Sequence, residues 1–331
     1  MEHDDTSPHG STEDLKRIPV FRSLPEATLE SLAGISHPES YAENQILFEE
    51  GAEGDSLYVI LAGSAVIQKV IDAETQSFKD LAVVEEGDLL GDMSLFDNKP
   101  RSATVRAKTD LRVLRIFRGE FDEFLRRDAS TASVVLGGLV ALMSSRLRES
   151  GLHVVTLYEI GNLIATAESP TLLAHGVLER LSSTIGHVSA AAFCTWQTYQ
   201  DESEIVASHG ITSDGEQGLA VQRDGPVYKY LKANPAPFVM PDLEEEHPLR
   251  LAFRMESGDS LLVAPLFNLD DILGFIILLG RKEPFTSFHK VLVSAAATQV
   301  GSALKNLMHA KEAEARSRLD LARANPRRAS W

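Results

Sequence analysis

A chain of 331 residues, 44% of them hydrophobic, is long enough for two domains that each bury a core. Its formal charge of -16 repels nucleic acid, and no basic stripe is dense enough to reverse that field, so no nucleic-acid partner is expected. The single cysteine, Cys194, excludes an internal disulfide and fits a reducing compartment.

The chain opens with MEHDDTSPHGSTED, which is polar, acidic and without the apolar stretch of a signal peptide, and residues 1–14 are expected to be a disordered tail. From Glu49 to Val66 the run EEGAEGDSLYVILAGSAV alternates apolar and polar residues between Gly51, Gly54 and Gly63, as short strands joined by tight turns do. A strand follows at Leu81–Val84. The turn Glu85–Asp88 precedes Leu89 and Leu90, and another strand spans Val113–Phe117. This spacing predicts a small β-barrel or jelly roll.

Within it lies GDMSLFDNKPRSAT, Gly91 to Thr104, where a glycine–acid pair precedes an arginine flanked by small residues. A planar guanidinium can meet the two free oxygens of a cyclic phosphate with paired charge-assisted hydrogen bonds, and Arg101 is the candidate. Ser102 and Thr104 offer hydroxyls. Backbone N–H groups between Gly91 and Leu95 complete a cradle if that turn opens a short helix, and Gly91 permits close backbone approach. On this segment alone, a turn and strand with a surface arginine fits equally well.

FRSL at Phe21–Leu24, ILFEEG at Ile46–Gly51, GDSLYVI at Gly54–Ile60, Gly63 and the Gly91–Thr104 cassette together resemble the cyclic nucleotide-binding domain, over roughly residues 15–150. The resemblance implies that cAMP or cGMP is held by Gly91, Asp92, Met93, Ser94, Arg101, Ser102, Ala103 and Thr104. The family's usual residue after the cassette glycine is a glutamate that accepts from the ribose 2'-hydroxyl. Asp92 is shorter by a methylene, so that contact is lost, bridged by water or made to a shifted sugar. Ser102 does not separate the bases, because eukaryotic cGMP sites and bacterial cAMP receptors both resemble this chain there. The same receptors place a base contact where Ser150 stands. The alternative is a different ligand or an empty structural pocket.

Arg118–Arg127 reads as a short helix with Phe121, Phe124 and Leu125 on one face, and a longer helix begins near Thr131. Leu136, Val140, Met143, Leu147, Ser150, Val154, Leu157, Gly161 and Ile164 alternate spacings of four and three, the seam of a parallel dimer helix. The competing reading is a helix packed on its own barrel, with Gly137, Gly138 and Gly151 interrupting any rod. By the resemblance this helix stands where a lid would be, so ligand binding is expected to move it.

The second half begins with a helical stretch, Leu157–Leu181, broken at Pro170. Strands are expected at Val188–Trp196 and Glu204–Ser208, a hairpin at Ser260–Phe267 and Ile272–Leu279 with its turn at Asn268–Asp271, and a long helix from Ser287 toward Arg323. The opening helix, VAPLF, GFIILLGRK, Phe285 with Thr286, and the closing helix with Ala297, Gln299, Val300 and Leu304 resemble a GAF domain over roughly residues 155–308. Nucleotide-binding members carry a signature that Lys282 and Phe285 match, whereas Arg281, His289 and Val293 depart from it. Nucleotide binding by this half is therefore not expected. Cys194, inside an apolar strand, reads as a buried small hydrophobe.

The ten histidines lack metal-ligand spacing, and no nucleophile elbow, phosphate-loop lysine or kinase signature is present, so neither an enzyme nor a cofactor is expected. The acidic run Asp242–His247, bracketed by Pro241 and Pro248, reads as a solvated loop, and PRRAS at Pro326–Ser330 looks like a basophilic kinase site. No unbroken apolar run reaches the length of a membrane span; Ile272–Gly280 is the strongest. The expected architecture is α+β: a jelly-roll-like β-barrel at 15–130, a connecting and dimerisation helix at 131–168, a GAF-like α/β sheet domain at 169–310, and a C-terminal helix and tail at 311–331. The cAMP receptor transcription factors place a helix-turn-helix where this chain has the GAF-like domain. The expected function is a non-catalytic, cytoplasmic, homodimeric cyclic-nucleotide sensor with a protein output partner. The alternatives are a regulatory subunit of a separate signalling enzyme, or a scaffold with a degenerate pocket.

Overall fold

The computed structural model describes residues 9–18, 21–22, 24–72, 77–92, 99–127, 129–196, 201–211, 220–241, 248–269 and 271–324. Met93, Ser94, the acidic run 242–247 and the segment 326–330 lie outside them. The chain divides into two compact units, Met1–Arg148 and Glu149–Trp331.

The first unit opens with helices α1 (Thr12–Lys16) and α2 (Glu26–Ala33), followed by β1 (Ser36–Tyr41), β2 (Ile46–Phe48), β3 (Ser56–Ala62), β4 (Ser64–Asp72), β5 (Ser77–Glu85), β6 (Leu89–Leu90), β7 (Thr104–Ala107) and β8 (Leu111–Phe117). The jelly roll is built as two four-stranded sheets, ordered β1-β8-β3-β6 and β2-β7-β4-β5, rather than as one closed barrel. Tyr58 and Ile60 of β3 join Ala65, Val105 and Val113 in the layer between the sheets. Leu57, Val59 and Leu61 of the same strand pack on the other side with Leu15, Phe21 and Leu29. Burial on both faces explains why SLYVILA is almost continuously apolar where a half-exposed strand would alternate.

Residues 9–14 are folded, which corrects the expectation of a disordered tail through residue 14. Ser11 caps α1 by accepting from the Asp14 amide at 3.1 Å, and the Gly10 amide donates to the Ser36 carbonyl at 2.8 Å. Leu15 and Ile18, both fully buried, anchor the segment. Composition misses this because two apolar side chains suffice to dock one helical turn.

Helix α3 (Arg118–Arg127) buries Phe121 and Phe124. Helix α4 (Ala129–Thr166) is continuous for 38 residues through Gly137, Gly138 and Gly151. Its buried residues toward the first unit are Val135 and Leu139, one position off the expected seam. Val140 is 61% exposed, Leu147 76% and Val154 67%. Leu157 and Ile164 turn onto the core of the second unit. Parts of the helix therefore pack on their own unit, while Val140, Leu147 and Val154 of the expected seam are exposed within the chain. By length and composition α4 could cross a bilayer, with an 18-residue window of mean hydropathy 1.3. No unbroken apolar run marks it in the sequence, because Ser and Gly interrupt the run without adding charge.

The second unit contains α5 (Pro170–Ile185), β9 (Val188–Trp196), β10 (Ser203–His209), α6 (Pro226–Ala233), β11 (Phe238–Pro241), α7 (Pro248–Phe253), β12 (Ser260–Asn268), β13 (Asp271–Gly280) and α8 (Ser287–Ala324). Pro170 starts α5 as its first residue, and the Ser169 hydroxyl caps it by accepting from the Leu172 amide. The five strands form one antiparallel sheet, β10-β9-β13-β12-β11. One face, with Phe193, Leu262, Ala264, Ile276 and Leu278, packs with Val177 and Leu181 of α5 and Val293 and Val300 of α8. The other face, with Cys194, Trp196, Val263, Phe275 and Ile277, is covered by Leu231 and Phe253. Gly301 lets α8 lie against β12: a Cβ there would stand 1.9 Å from the Phe267 carbonyl oxygen. The short elements α6, β11 and α7 carry too little periodicity to be read from sequence.

Candidate functional site

In the first unit, Arg101 is strapped to the turn after β2 by backbone bonds. Its amide donates to the Ala52 carbonyl at 2.8 Å, and its own carbonyl accepts from the Gly51 amide at 2.9 Å. Gly51 holds φ +82°, which supplies the reason for the glycine that ends ILFEEG. The side chain turns inward. Arg101 is 3% exposed, which excludes the reading of a surface arginine.

Its Nη2 donates to the Ser56 carbonyl at 2.7 Å and to Ser56 Oγ at 3.2 Å, and Nη1 donates to the Gly91 carbonyl at 3.3 Å. The guanidinium lies 4.3 Å over the Phe48 ring, with Asp55 Oδ1 3.7 Å from Nη2. Gly91 sits at φ +77°, and a Cβ on it would fall 2.2 Å from Nη1, so only glycine allows this approach. Burial pulls the guanidinium below its ordinary pKa, with Tyr58 and Asp55 acting against it.

Asp55 is shared with a second guanidinium, Arg115, whose Nη2 stands 3.2 Å from Asp55 Oδ2 and whose Nη1 stands 3.3 Å from Glu39 Oε1. Burial works to raise the Asp55 carboxyl, but the Ser56 hydroxyl and Arg115 outweigh it and hold the group below the ordinary range. Two arginines and an ionised aspartate thus stand around the hydroxyl of Ser56, to which Arg115 Nε also donates at 3.1 Å.

The remaining cassette residues divide. Asp92 is buried and accepts from Arg146 Nη1 on α4 at 2.9 Å, while Arg146 Nη2 donates to the Leu89 carbonyl at 3.4 Å. Ser102 is exposed, and its carbonyl accepts from Lys69 Nζ at 2.9 Å. Ala103 is buried, and Thr104 Oγ1 accepts from the Glu50 amide at 3.0 Å, so that hydroxyl also serves to hold the strand. Ser150 is exposed.

Sequence reasoning missed Ser56, Phe48 and Arg146. Arg146 was within reach: it lies four residues before Ser150, on the same helical face. Ser56 was inside a quoted motif, but nothing in GDSLYVI says that its carbonyl faces Arg101.

In the second unit Val293 is in the core, and Arg281 is bound to Asp259, with Nη1 2.8 Å from Oδ2. Cys194 is fully buried, and burial pushes its thiol far above the ordinary range. His289 is pushed down to about 4 by burial, then by His187 and His153. No group of three or more His, Cys, Asp or Glu side chains among the described residues is arranged to hold a metal ion.

Residues 38–128 match the cyclic nucleotide-binding domain, and residues 169–304 match the GAF domain. A cAMP-dependent protein kinase regulatory subunit of Aspergillus fumigatus is 32% identical over 112 residues, 34% of this chain and 26% of that protein. The cyclic AMP receptor protein of Thermus thermophilus is 26% identical over 216 residues, 63% of this chain and 94% of that one. Among solved structures, the N-terminal domain of a transcriptional regulator from Streptomyces coelicolor A3(2) shares 30% identity over 42% of this chain and 92% of its own, with a TM-score of 0.36. The match spans about a quarter of the length of the kinase regulatory subunit. In this chain, a cyclic nucleotide-binding domain is followed by a GAF domain.

Proposed function

We propose that the protein is a non-catalytic sensor that binds cAMP or cGMP in its first unit and passes the signal along α4 to the GAF domain. The carrying observation is the guanidinium of Arg101, held inside the fold by Ser56 and Gly91. An arginine fixed before the ligand arrives loses little side-chain freedom when it takes up a cyclic phosphate, with Nη2 exchanging its longer bond to Ser56 Oγ for a phosphate oxygen. Gly91, Asp92, Met93, Ser94, Ser102, Ala103 and Thr104 complete the proposed site. Both relatives named above are described by cAMP, which supports the ligand class.

Arg146 gives the site a chemical link to the helix. A ribose hydroxyl arriving at Asp92 competes for the carboxylate oxygen that Arg146 now holds, so ligand binding changes what ties α4 to the cassette. The uncovered row Val140, Leu147 and Val154 supports a second copy of the helix as its cover, in a parallel dimer. A cytoplasmic setting and the absence of a nucleic-acid partner fit the acidic balance. The second reading is a regulatory subunit of a separate signalling enzyme, favoured by the identity to kinase regulatory subunits.

Calorimetric titration of the full chain with cAMP, cGMP and cyclic di-GMP tests the reading. Saturable binding of cAMP or cGMP, lost in Arg101→Ala and weakened in Arg101→Lys with the circular dichroism of both unchanged, is the expected result. No binding of either nucleotide would leave a scaffold with a degenerate pocket. Co-purification with a kinase, cyclase or phosphodiesterase whose rate changes on mixing would favour the regulatory subunit.

A further inference from the structure

At one end of the GAF sheet lies a cavity of about 470 Å³, between the end of β9, the turn before α6, the start of β13 and the later part of α8. Pockets of this size hold small organic molecules. Its floor is apolar and aromatic. Trp196 and Tyr228 meet edge to face with ring centroids 5.0 Å apart, and Ile272, Leu273 and Met308 add aliphatic surface. The indole N–H is already spent on the Val221 carbonyl at 2.9 Å, so the rings offer packing surface rather than a donor.

Charged groups of both signs stand at its wall. Arg223 and Asp224 are adjacent in the turn that leads into α6, and Lys305 faces Asp271 at 3.6 Å. The second pair answers itself. The first is different: the buried Nε of Arg223 has no hydrogen-bond partner among the described residues, a costly condition for a cationic side chain beside a cavity. Asp224 is held at φ +64°, a left-handed conformation that aspartate tolerates and most residues do not.

A plain anion would gain from Arg223 and lose to Asp224, and a plain cation the reverse. A molecule carrying both charges about one carbon apart, with an apolar body, answers the Arg223–Asp224 pair and the aromatic surface together. We propose that this cavity binds a free apolar or aromatic α-amino acid, its carboxylate on Arg223, its ammonium on Asp224 and its side chain against Trp196 and Tyr228. The site is independent of the nucleotide reading of the first unit and would give the GAF domain an input of its own.

The chain has two tryptophans, and Trp331→Phe leaves Trp196 as the only reporter. In that full-length variant, indole fluorescence is titrated with L-phenylalanine, 3-phenylpropanoate and 2-phenylethylamine, which differ only in which charges they carry. L-phenylalanine is expected to saturate, with each single-charge analogue about tenfold or more weaker, since each lost charge-assisted contact costs that much. Arg223→Gln should weaken L-phenylalanine and 3-phenylpropanoate but not 2-phenylethylamine, which is freed of a repulsion, and Asp224→Asn should weaken L-phenylalanine and 2-phenylethylamine but not 3-phenylpropanoate, a charge-selective split that misfolding cannot imitate. Failure of all three ligands to saturate, equal affinity for all three, or 3-phenylpropanoate binding as tightly as L-phenylalanine would overturn the proposal.

Discussion

Arg146 on helix α4 donates through Nη1 to Asp92 Oδ2 at 2.9 Å, joining the long helix to the residue that follows the cassette glycine. Both side chains are largely withdrawn from solvent, so the pair is screened less than a surface bridge. Shortening the family's glutamate to aspartate leaves a carboxylate that the helix arginine can still reach.

A double-mutant cycle with Asp92→Asn and Arg146→Gln is expected to show about 1–2 kcal/mol of coupling in thermal or denaturant unfolding. Asp92→Glu should tighten cAMP by extending the carboxylate toward the ribose. Calorimetry that finds no gain would point to a ligand without a ribose 2'-hydroxyl at this position.

Gly91→Ala should destabilise the first unit by about 1 kcal/mol or more, the cost of a left-handed backbone for an L side chain, and also displace Arg101 from its bonds. Urea unfolding gives the first effect and nucleotide titration the second. Wild-type affinity in this variant would separate Arg101 from the ligand.

Acid should weaken the second unit through His289. Its Nδ1 accepts from the Thr286 amide at 3.1 Å while Thr286 Oγ1 accepts from the His289 amide at 3.4 Å, a reciprocal cap at the start of α8. Protonation removes the acceptor and puts positive charge at a helix N-terminus, close to His187 and His153. The folded-state value is about 4 and the ordinary one 6.5, so the unfolded chain takes up the proton first. This contribution is complete above about pH 6.5, falls through the window down to about pH 4 and stays lost below it. Melting curves should therefore depend on pH less steeply across that window in His289→Asn, which keeps an acceptor. Identical slopes in the two proteins would remove His289 from the account.

Leu147→Glu is expected to convert a dimer to a monomer in sedimentation equilibrium, with the circular dichroism unchanged because the side chain is exposed within its own chain. An unchanged association state would leave the Val140–Val154 row without its proposed cover.

The cassette stood out in advance because its pattern is local. GDMSLFDNKPRSAT keeps the glycine, the acid and the arginine within one short stretch, and the strand runs and the Pro170 break follow from neighbour spacing alone. Four of the five strands of the second sheet were likewise announced, by the hairpin and two flanking strands, whereas β11 was not. The partners of Arg101 and Asp92 were not legible, because Ser56 lies 45 residues from Arg101 and Arg146 lies 54 from Asp92, distances at which pairing depends on how two sheets and a helix pack. The same holds for α4. Its heptad spacing was a property of the sequence by itself, but which stretches lie on the chain's own cores and which stay uncovered was decided only in the tertiary structure, where one apolar side chain has several surfaces to choose from and packing selects among them.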